Sequence, residues 1–342
     1  MTWLLAYAFV GEGEAQTRIP MKAVRVHKTG GPEVLRLEEV PDLSAGPKDA
    51  VVKTEAAGVN FVDIYFRTGL YKSTLPFTNG QEGAGVITAV GTEVTDFQAG
   101  DRVACTGVLG SYAEYSVVPA AKLVILPKAI DTRTAAAVML QGMTVHYLTY
   151  STFPLENGHT ALVHAAAGGV GLVLVQVAKM RGARVIGTCS TPDKAARVHQ
   201  AGADEVILYT EQDFVAEVKR LTDGRGVDVV YDSVGKATWE GSLNCLRPLG
   251  MLVFFGNASG PVPGIEPLTL GAKGSLFLTR PSLVDYIATR EALLERASEV
   301  FDWVSSGKVK VHIGETYPLA EAAEAHRRLA SRLTSGKILL LP

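Results

Sequence analysis

The sequence predicts an α/β protein in two parts: a compact, partly closed β domain and then a doubly wound parallel sheet with helices on both faces. Three observations predict it. Short β-rich runs separated by turn signals fill residues 21–126. Strands and helices alternate beyond Asp131. A glycine-rich turn joins the first of those later strands to its helix. The length of 342 residues suits about two domains.

Taken in order, residues 1–20 stand apart. The apolar run from Trp3 to Val10 is too short to span a bilayer and has no basic segment before it. These residues read as an extension outside the fold. Met21 opens a first strand, and residues 50–55, 85–90 and 102–105 are further β-rich runs. Gly30-Gly31-Pro32 and Ala99-Gly100-Asp101 are turn signals between them. Residues 132–147 are Ala-rich and predict a helix. Strands are then expected at 161–164, 184–187, 205–208, 227–231 and 251–255. The intervening helices are expected at 170–180, 192–200, 214–221 and 237–246. The tail predicts helices at 290–304 and 319–329 and a strand at 337–341, without fixing where they pack.

Charge and cysteine usage exclude several function classes. The net charge is −2 and no run of Lys or Arg stands out, so neither nucleic acid nor an anionic membrane surface is an expected partner. The three cysteines, Cys105, Cys189 and Cys245, are far apart and form no CxxC, which argues against a disulfide framework and rules out a four-cysteine zinc lobe. Reduced thiols are expected, and with them a cytoplasmic protein.

The chemistry begins at the glycine-rich turn. Ala161-Leu162-Val163-His164 runs into Ala165-Ala166-Ala167-Gly168-Gly169-Val170-Gly171, which matches GxGxxG with Ala166 in the first slot. Such a turn lets backbone approach a pyrophosphate, while the helix N-terminus offers free N–H groups. Gly171 would permit close packing of helix on strand. The second strand then ends Gly187-Thr188-Cys189-Ser190, with no acid at its tip to hold a ribose 2′-hydroxyl. Lys194 lies just beyond, and Asp193 reads as a helix-start acid pointing to solvent. Ser190 and Lys194 suit a 2′-phosphate, so NADPH is the expected cofactor. Each charge-assisted hydrogen bond contributes about 1.5–3 kcal/mol, roughly a ten- to hundredfold preference.

Together with Gly80-Gln81-Glu82-Gly83-Ala84-Gly85, these residues resemble the medium-chain dehydrogenase/reductase superfamily. More narrowly, the chain resembles the bacterial NADPH:quinone oxidoreductases, relatives of zeta-crystallin. The resemblance runs through residues 21–342 and includes Gly58-Val59-Asn60-Phe61-Val62-Asp63, Tyr231-Asp232-Ser233-Val234-Gly235, Phe255-Gly256-Asn257 and Thr279-Arg280-Pro281-Ser282. It implies a GroES-like catalytic domain (21–145), a Rossmann NADPH-binding domain (146–280) and a C-terminal segment (281–342) returning to the first domain. It also implies a homodimer joined through the Rossmann domains.

Site roles carry over from the resemblance. Gly168, Gly169 and Val170 would face the pyrophosphate, with Gly171 completing the cofactor-binding turn. Ser190, Lys194 and Tyr209 would hold the 2′-phosphate. Thr144 would lie near the nicotinamide, with Asn60 and Asp63 on a facing loop. Ser233, Phe255, Gly256 and Asn257 would line the cofactor, and Arg280 and Arg332 are further candidates. Tyr65 on the facing loop matches a substrate-pocket tyrosine. Tyr65 and Tyr71 fit as walls for a flat ring and fit equally as packed aromatics of the β domain.

Zinc-bearing members of the superfamily place Cys where this chain has Asn60 and His where it has Gln81. Amides are poor zinc ligands beside thiolate and imidazole, so no metal is expected. An acceptor that carries its own electron sink fits that change. Hydride added to a quinone leaves a delocalised, phenolate-like oxygen, whose pKa is near about 10 by analogy with tyrosine. The expected activity is therefore NADPH-dependent quinone reduction. Reduction of 2-alkenals and related enones shares every cofactor residue. A binding or structural role, with RNA as ligand, is the alternative of another kind.

Overall fold

The computed structural model describes residues 21–41 and 43–342, so the expected extension at 1–20 lies outside the described residues. The first half contains β1 (Met21–Val26), β2 (Leu35–Val40), β3 (Asp49–Val59), α1 (Phe61–Thr68), β4 (Phe77–Thr78) and β5 (Glu82–Val90). It continues with β6 (Arg102–Thr106), β7 (Tyr115–Pro119), β8 (Leu123–Ile125) and α2 (Thr132–Tyr147). The alternating half contains β9 (Thr160–Val163), α3 (Gly169–Met180), β10 (Arg184–Cys189), α4 (Pro192–Gln200), β11 (Glu205–Leu208), α5 (Phe214–Leu221), β12 (Val227–Asp232), α6 (Trp239–Cys245) and β13 (Leu246–Phe254). Then follow α7 (Pro267–Ala272), β14 (Phe277–Thr279), α8 (Leu283–Tyr286), α9 (Arg290–Ser305), β15 (Ile313–Pro318), α10 (Ala322–Ala330) and β16 (Lys337–Leu341).

The alternating half forms one parallel sheet in the order β11-β10-β9-β12-β13-β14. This is the doubly wound order with its switch point between β9 and β12, where a crevice opens at the carboxyl ends of the strands. The cause is local. β9 reads Thr-Ala-Leu-Val and β12 reads Val-Asp-Val-Val-Tyr-Asp, and every residue of both is buried, as a parallel sheet covered on two faces requires.

The first half forms a sheet in the order β15-β16-β3-β5-β6-β8, with β7 also on β3, and a smaller sheet β2-β1-β4. β16 runs antiparallel to β3, so the tail returns to the first half of the chain. α2 joins the two parts. It is buried on nearly all sides, which an Ala-rich helix tolerates, and packs on β3, β5 and β6 as well as on α3 and α9. Asp131 caps it by accepting from Thr134 N at 2.7 Å.

Two expectations are corrected. The facing segment is the helix α1, not a loop. Asn60 is its N-cap, and the Asp63 carboxylate accepts from Asn60 N–H at 2.8 Å. The helix expected at 237–246 is shorter, because Leu246 already pairs with Val227 and begins β13. No helix among the described residues is long and apolar enough to cross a membrane.

Candidate active site

A cavity of about 760 Å³ opens between the two sheets. Its floor is the glycine-rich turn, where Gly168, Gly169, Val170 and Gly171 all line the wall. Gly168 is the N-cap of α3 and brings no side-chain cap, which leaves the first-turn N–H groups for a ligand. A Cβ on Gly171 would stand 2.6 Å from Ala166 O, so only glycine allows this approach of helix to strand. Ala165 sits at φ 51°, a left-handed backbone conformation that costs a non-glycine residue free energy and shapes the turn. The opening that this turn leaves is therefore a feature of the backbone itself.

One end of the cavity is polar and cationic. Ser190 and Lys194 line it just past β10, and Tyr209 lines it just past β11. Thr191 caps α4, which sets Lys194 in the first turn, and Asp193 is exposed as expected. Burial holds the Lys194 ammonium below its usual pKa. Its Nζ donates to the carbonyl oxygen of Arg332, which itself has a left-handed backbone at φ 59°. Arg280 and Arg332 also line the cavity. Among the described lining residues these three cations stand with no carboxylate at all.

The other end is aromatic. Tyr65 and Tyr71 meet edge to face with centroids 5.3 Å apart. The Tyr65 phenol oxygen accepts from Asn257 N–H at 2.7 Å, and Tyr71 Oη accepts from Arg280 at 3.1 Å. Burial pushes the Tyr65 hydroxyl up to about 12. Asn60 and Thr144 line the same region, while Ser233, Phe255 and Gly256 close it from the later strands.

Two predicted site residues are not in the wall. Asp63, in the first turn of α1, is fully buried and accepts from Asn60 N–H and from Tyr112 Oη at 2.9 Å. Burial pushes its carboxyl up to about 7. Asn257 enters only through its backbone N–H on Tyr65.

Behind Asn60 lies a group that sequence reasoning missed. Lys337 Nζ donates to Asn60 Oδ1 at 2.7 Å and to Glu82 Oε2. Asn60 Nδ2 donates to Glu82 Oε2 at 2.9 Å, and Leu140 N–H donates to Glu82 Oε1 at 2.6 Å. The side chains of Lys337 and Glu82 are 1% and 0% exposed. A charged residue beside the apolar Ile-Leu-Leu-Leu run of β16 was the available signal, since a buried charge demands a partner. A Cβ on Gly58 would stand 2.5 Å from Ala136 O and 2.7 Å from Lys337 Cε, so this pair also fixes a glycine. The residues present do not fit a catalytic zinc. Asn60 presents an amide already engaged by an ammonium, and Gln81 supplies another amide. Among the described residues no cluster of three His, Cys, Asp or Glu side chains is arranged to hold a metal.

Residues 46–128 match the family described as alcohol dehydrogenase GroES-like domain, and residues 169–305 match the family described as zinc-binding dehydrogenase. The chain is 49% identical to a quinone oxidoreductase of Pseudomonas aeruginosa, over 94% of this chain and 99% of that protein. It is 43% identical to a 2-haloacrylate reductase from a Burkholderia species, over 94% of this chain and 98% of that one. The solved structure of Escherichia coli quinone oxidoreductase complexed with NADPH superposes with a TM-score of 0.92 at 46% identity, covering 94% of this chain and 100% of that chain. The chain belongs to the quinone oxidoreductase family of the medium-chain dehydrogenase/reductase superfamily.

Proposed function

We propose that this protein is an NADPH:quinone oxidoreductase that works without zinc. The observation that carries the reading is the cavity wall. A glycine-rich helix start leads at one end to Ser190, Lys194, Tyr209 and Arg332 and at the other to the Tyr65–Tyr71 pair. Two cations at that end, Lys194 and Arg332, and no carboxylate among the described lining residues suit a dinucleotide with an extra phosphate. Bound NADPH supplies hydride from nicotinamide C4. The chain's own residues bind and orient. Ser190, Lys194 and Tyr209 hold the 2′-phosphate, and the turn at 168–171 holds the pyrophosphate. Thr144, Ser233, Phe255 and Gly256 line the nicotinamide end. Tyr65 and Tyr71, in contact with each other, wall one side of the acceptor space. The acceptor gains two electrons and one hydrogen as hydride, becoming a hydroquinone anion, and water supplies the second proton.

The same reading divides the chain at 145/146 and 280/281, with α2 as the shared wall. It also makes the protein a cytoplasmic homodimer. Buried free thiols at Cys105, Cys189 and Cys245 suit a reducing compartment. Among the described residues the edge strand β14 pairs only with β13 and exposes Phe277 at 54% and Leu278 at 37%, which supports a two-fold contact with a second copy at this edge.

A kinetic panel of quinones against 2-alkenals and 2-haloacrylate, with NADPH in excess, tests the substrate class. Higher kcat/KM for quinones supports the reading. Higher kcat/KM for the alkenes moves the protein to the activity that the Burkholderia relative is named for.

A further inference from the structure

Gln141 lies on α2 and lines the large cavity about one helical turn before Thr144. It is 7% exposed, and its amide makes no hydrogen bond among the described residues. The hydroxyl oxygens of Thr106 and Ser111 are also unpartnered, but they are sealed from solvent and cavity alike. The Gln141 amide is not sealed, so part of the surface this residue keeps belongs to its amide and opens on the cavity. Gly169 gives the direction of that amide. A Cβ on Gly169 would stand 2.6 Å from Gln141 Cδ and closer still to Nε2. Gly169 is the first residue of α3, and the Cβ bonds of a helix tilt toward its N-terminus. The amide therefore sits ahead of the first turn of α3, where the free N–H groups and the positive end of the helix dipole receive an anion.

A side-chain amide has two N–H donors, and a ligand that covers them without offering an acceptor loses affinity. A ligand that fills the cavity over this turn must therefore bring an acceptor to Gln141. We propose that Gln141 Nε2 donates a hydrogen bond to a pyrophosphate oxygen of the dinucleotide, facing the backbone N–H groups of α3 across it. This rests on the reading of the 168–171 turn as the pyrophosphate site and adds a binding residue to it. The anion is then held from two elements, by backbone from α3 and by a side chain from α2. Because α2 packs on β3, β5 and β6 as well as on α3, the contact fixes the cofactor against the helix that joins the two halves of the chain. The same arrangement requires glycine at 169, since a side chain there would displace the amide.

The test compares wild type, Gln141→Met and Gln141→Glu. Methionine keeps the length and removes both donors, and glutamate puts a negative charge in the same place. NADPH binding is read by fluorescence titration and adenosine 2′-monophosphate binding by calorimetry. The second ligand carries the adenosine and the 2′-phosphate but no pyrophosphate. Q141M is expected to bind NADPH about tenfold more weakly than wild type, the effect of one hydrogen bond to a charged group. Q141E is expected to be weaker still, because a carboxylate repels the pyrophosphate. Affinity for adenosine 2′-monophosphate should stay within about twofold of wild type in both variants. Q141M with wild-type NADPH affinity overturns the proposal, and so does Q141E that binds NADPH as well as Q141M does. Equal losses for NADPH and adenosine 2′-monophosphate overturn it too, because the substitution has then altered the whole site rather than one contact. Wild type that binds neither NADPH nor NADH overturns the cofactor reading itself, and the proposal falls with it.

Discussion

Lys337 Nζ, on the last strand, donates to Asn60 Oδ1 at 2.7 Å across 277 residues of chain. It ties the C-terminal segment to the first turn of α1 and to Glu82 on β5. Removing one partner of a buried pair leaves the other charge uncompensated and costs about 3–5 kcal/mol. Lys337→Met is therefore expected to lower stability by that amount, and Lys337→Met with Glu82→Gln to recover a large part. Urea unfolding of the two variants and wild type checks this. Equal stability of Lys337→Met and wild type contradicts it.

On the proposed reading, cofactor choice follows from the end of β10. Lys194→Ala is expected to weaken NADPH binding about ten- to hundredfold, the effect of one charge-assisted hydrogen bond, and to leave NADH binding within about twofold. Ser190→Asp is expected to lower NADPH affinity and raise NADH affinity, because a carboxylate there repels a phosphate and accepts from a hydroxyl. Fluorescence titration with both nucleotides reads the result.

The turn at 168–171 is expected to tolerate no side chain at its last position. Gly171→Ala brings a methyl within 2.6 Å of Ala166 O. The strain is of order 1–3 kcal/mol, and NADPH affinity should fall with it. Calorimetric binding and a thermal melt of G171A check both.

Asp63 makes stability depend on pH. Burial raises its carboxyl from 3.8 to about 7, against the opposing hydrogen bonds from Asn60 and Tyr112 and the charge of Lys337, with Glu82 adding to the rise. The neighbouring His326, pushed down to about 3 by burial and by Arg67, stays neutral through that range. The unfolded chain releases the Asp63 proton near 3.8 and the folded chain near 7. The stabilising contribution of the protonated carboxyl is complete below pH 3.8, declines as pH rises, and is gone above about 7. The slope is up to about 1.4 kcal/mol per pH unit. Asp63→Asn keeps an oxygen for Asn60 N–H and Tyr112 Oη, so its unfolding free energy should be flatter between pH 4 and 7, as about those limits bracket the titration. Parallel urea curves for wild type and D63N across that range would contradict this.

Much of the fold was legible because local signals agreed. The spans of α2, α4, α5, β11 and β16 match the expected ones, where apolar periodicity and an N-cap or a bounded apolar run point the same way. α1 was not read, since Phe61-Val62-Asp63-Ile64-Tyr65-Phe66 mixes aromatic and β-branched residues that favour strands. Its signal was Asn60 followed three residues later by Asp63. The residues expected at the cofactor end, except Asn257, line the cavity, because a glycine-rich turn between strand and helix fixes their neighbourhood. Sequence spacing held no sign of the meeting of Glu82 with Lys337, 255 residues apart, or of the unpartnered Thr106 hydroxyl. Both follow from packing between distant strands.

The most direct test is NADPH oxidation by 1,4-benzoquinone on metal-free protein, run beside NADH. Fast turnover with NADPH, at least about tenfold slower turnover with NADH, and no gain on adding zinc are the predicted results. Turnover that requires stoichiometric zinc, or that proceeds equally with both nucleotides, would contradict the account.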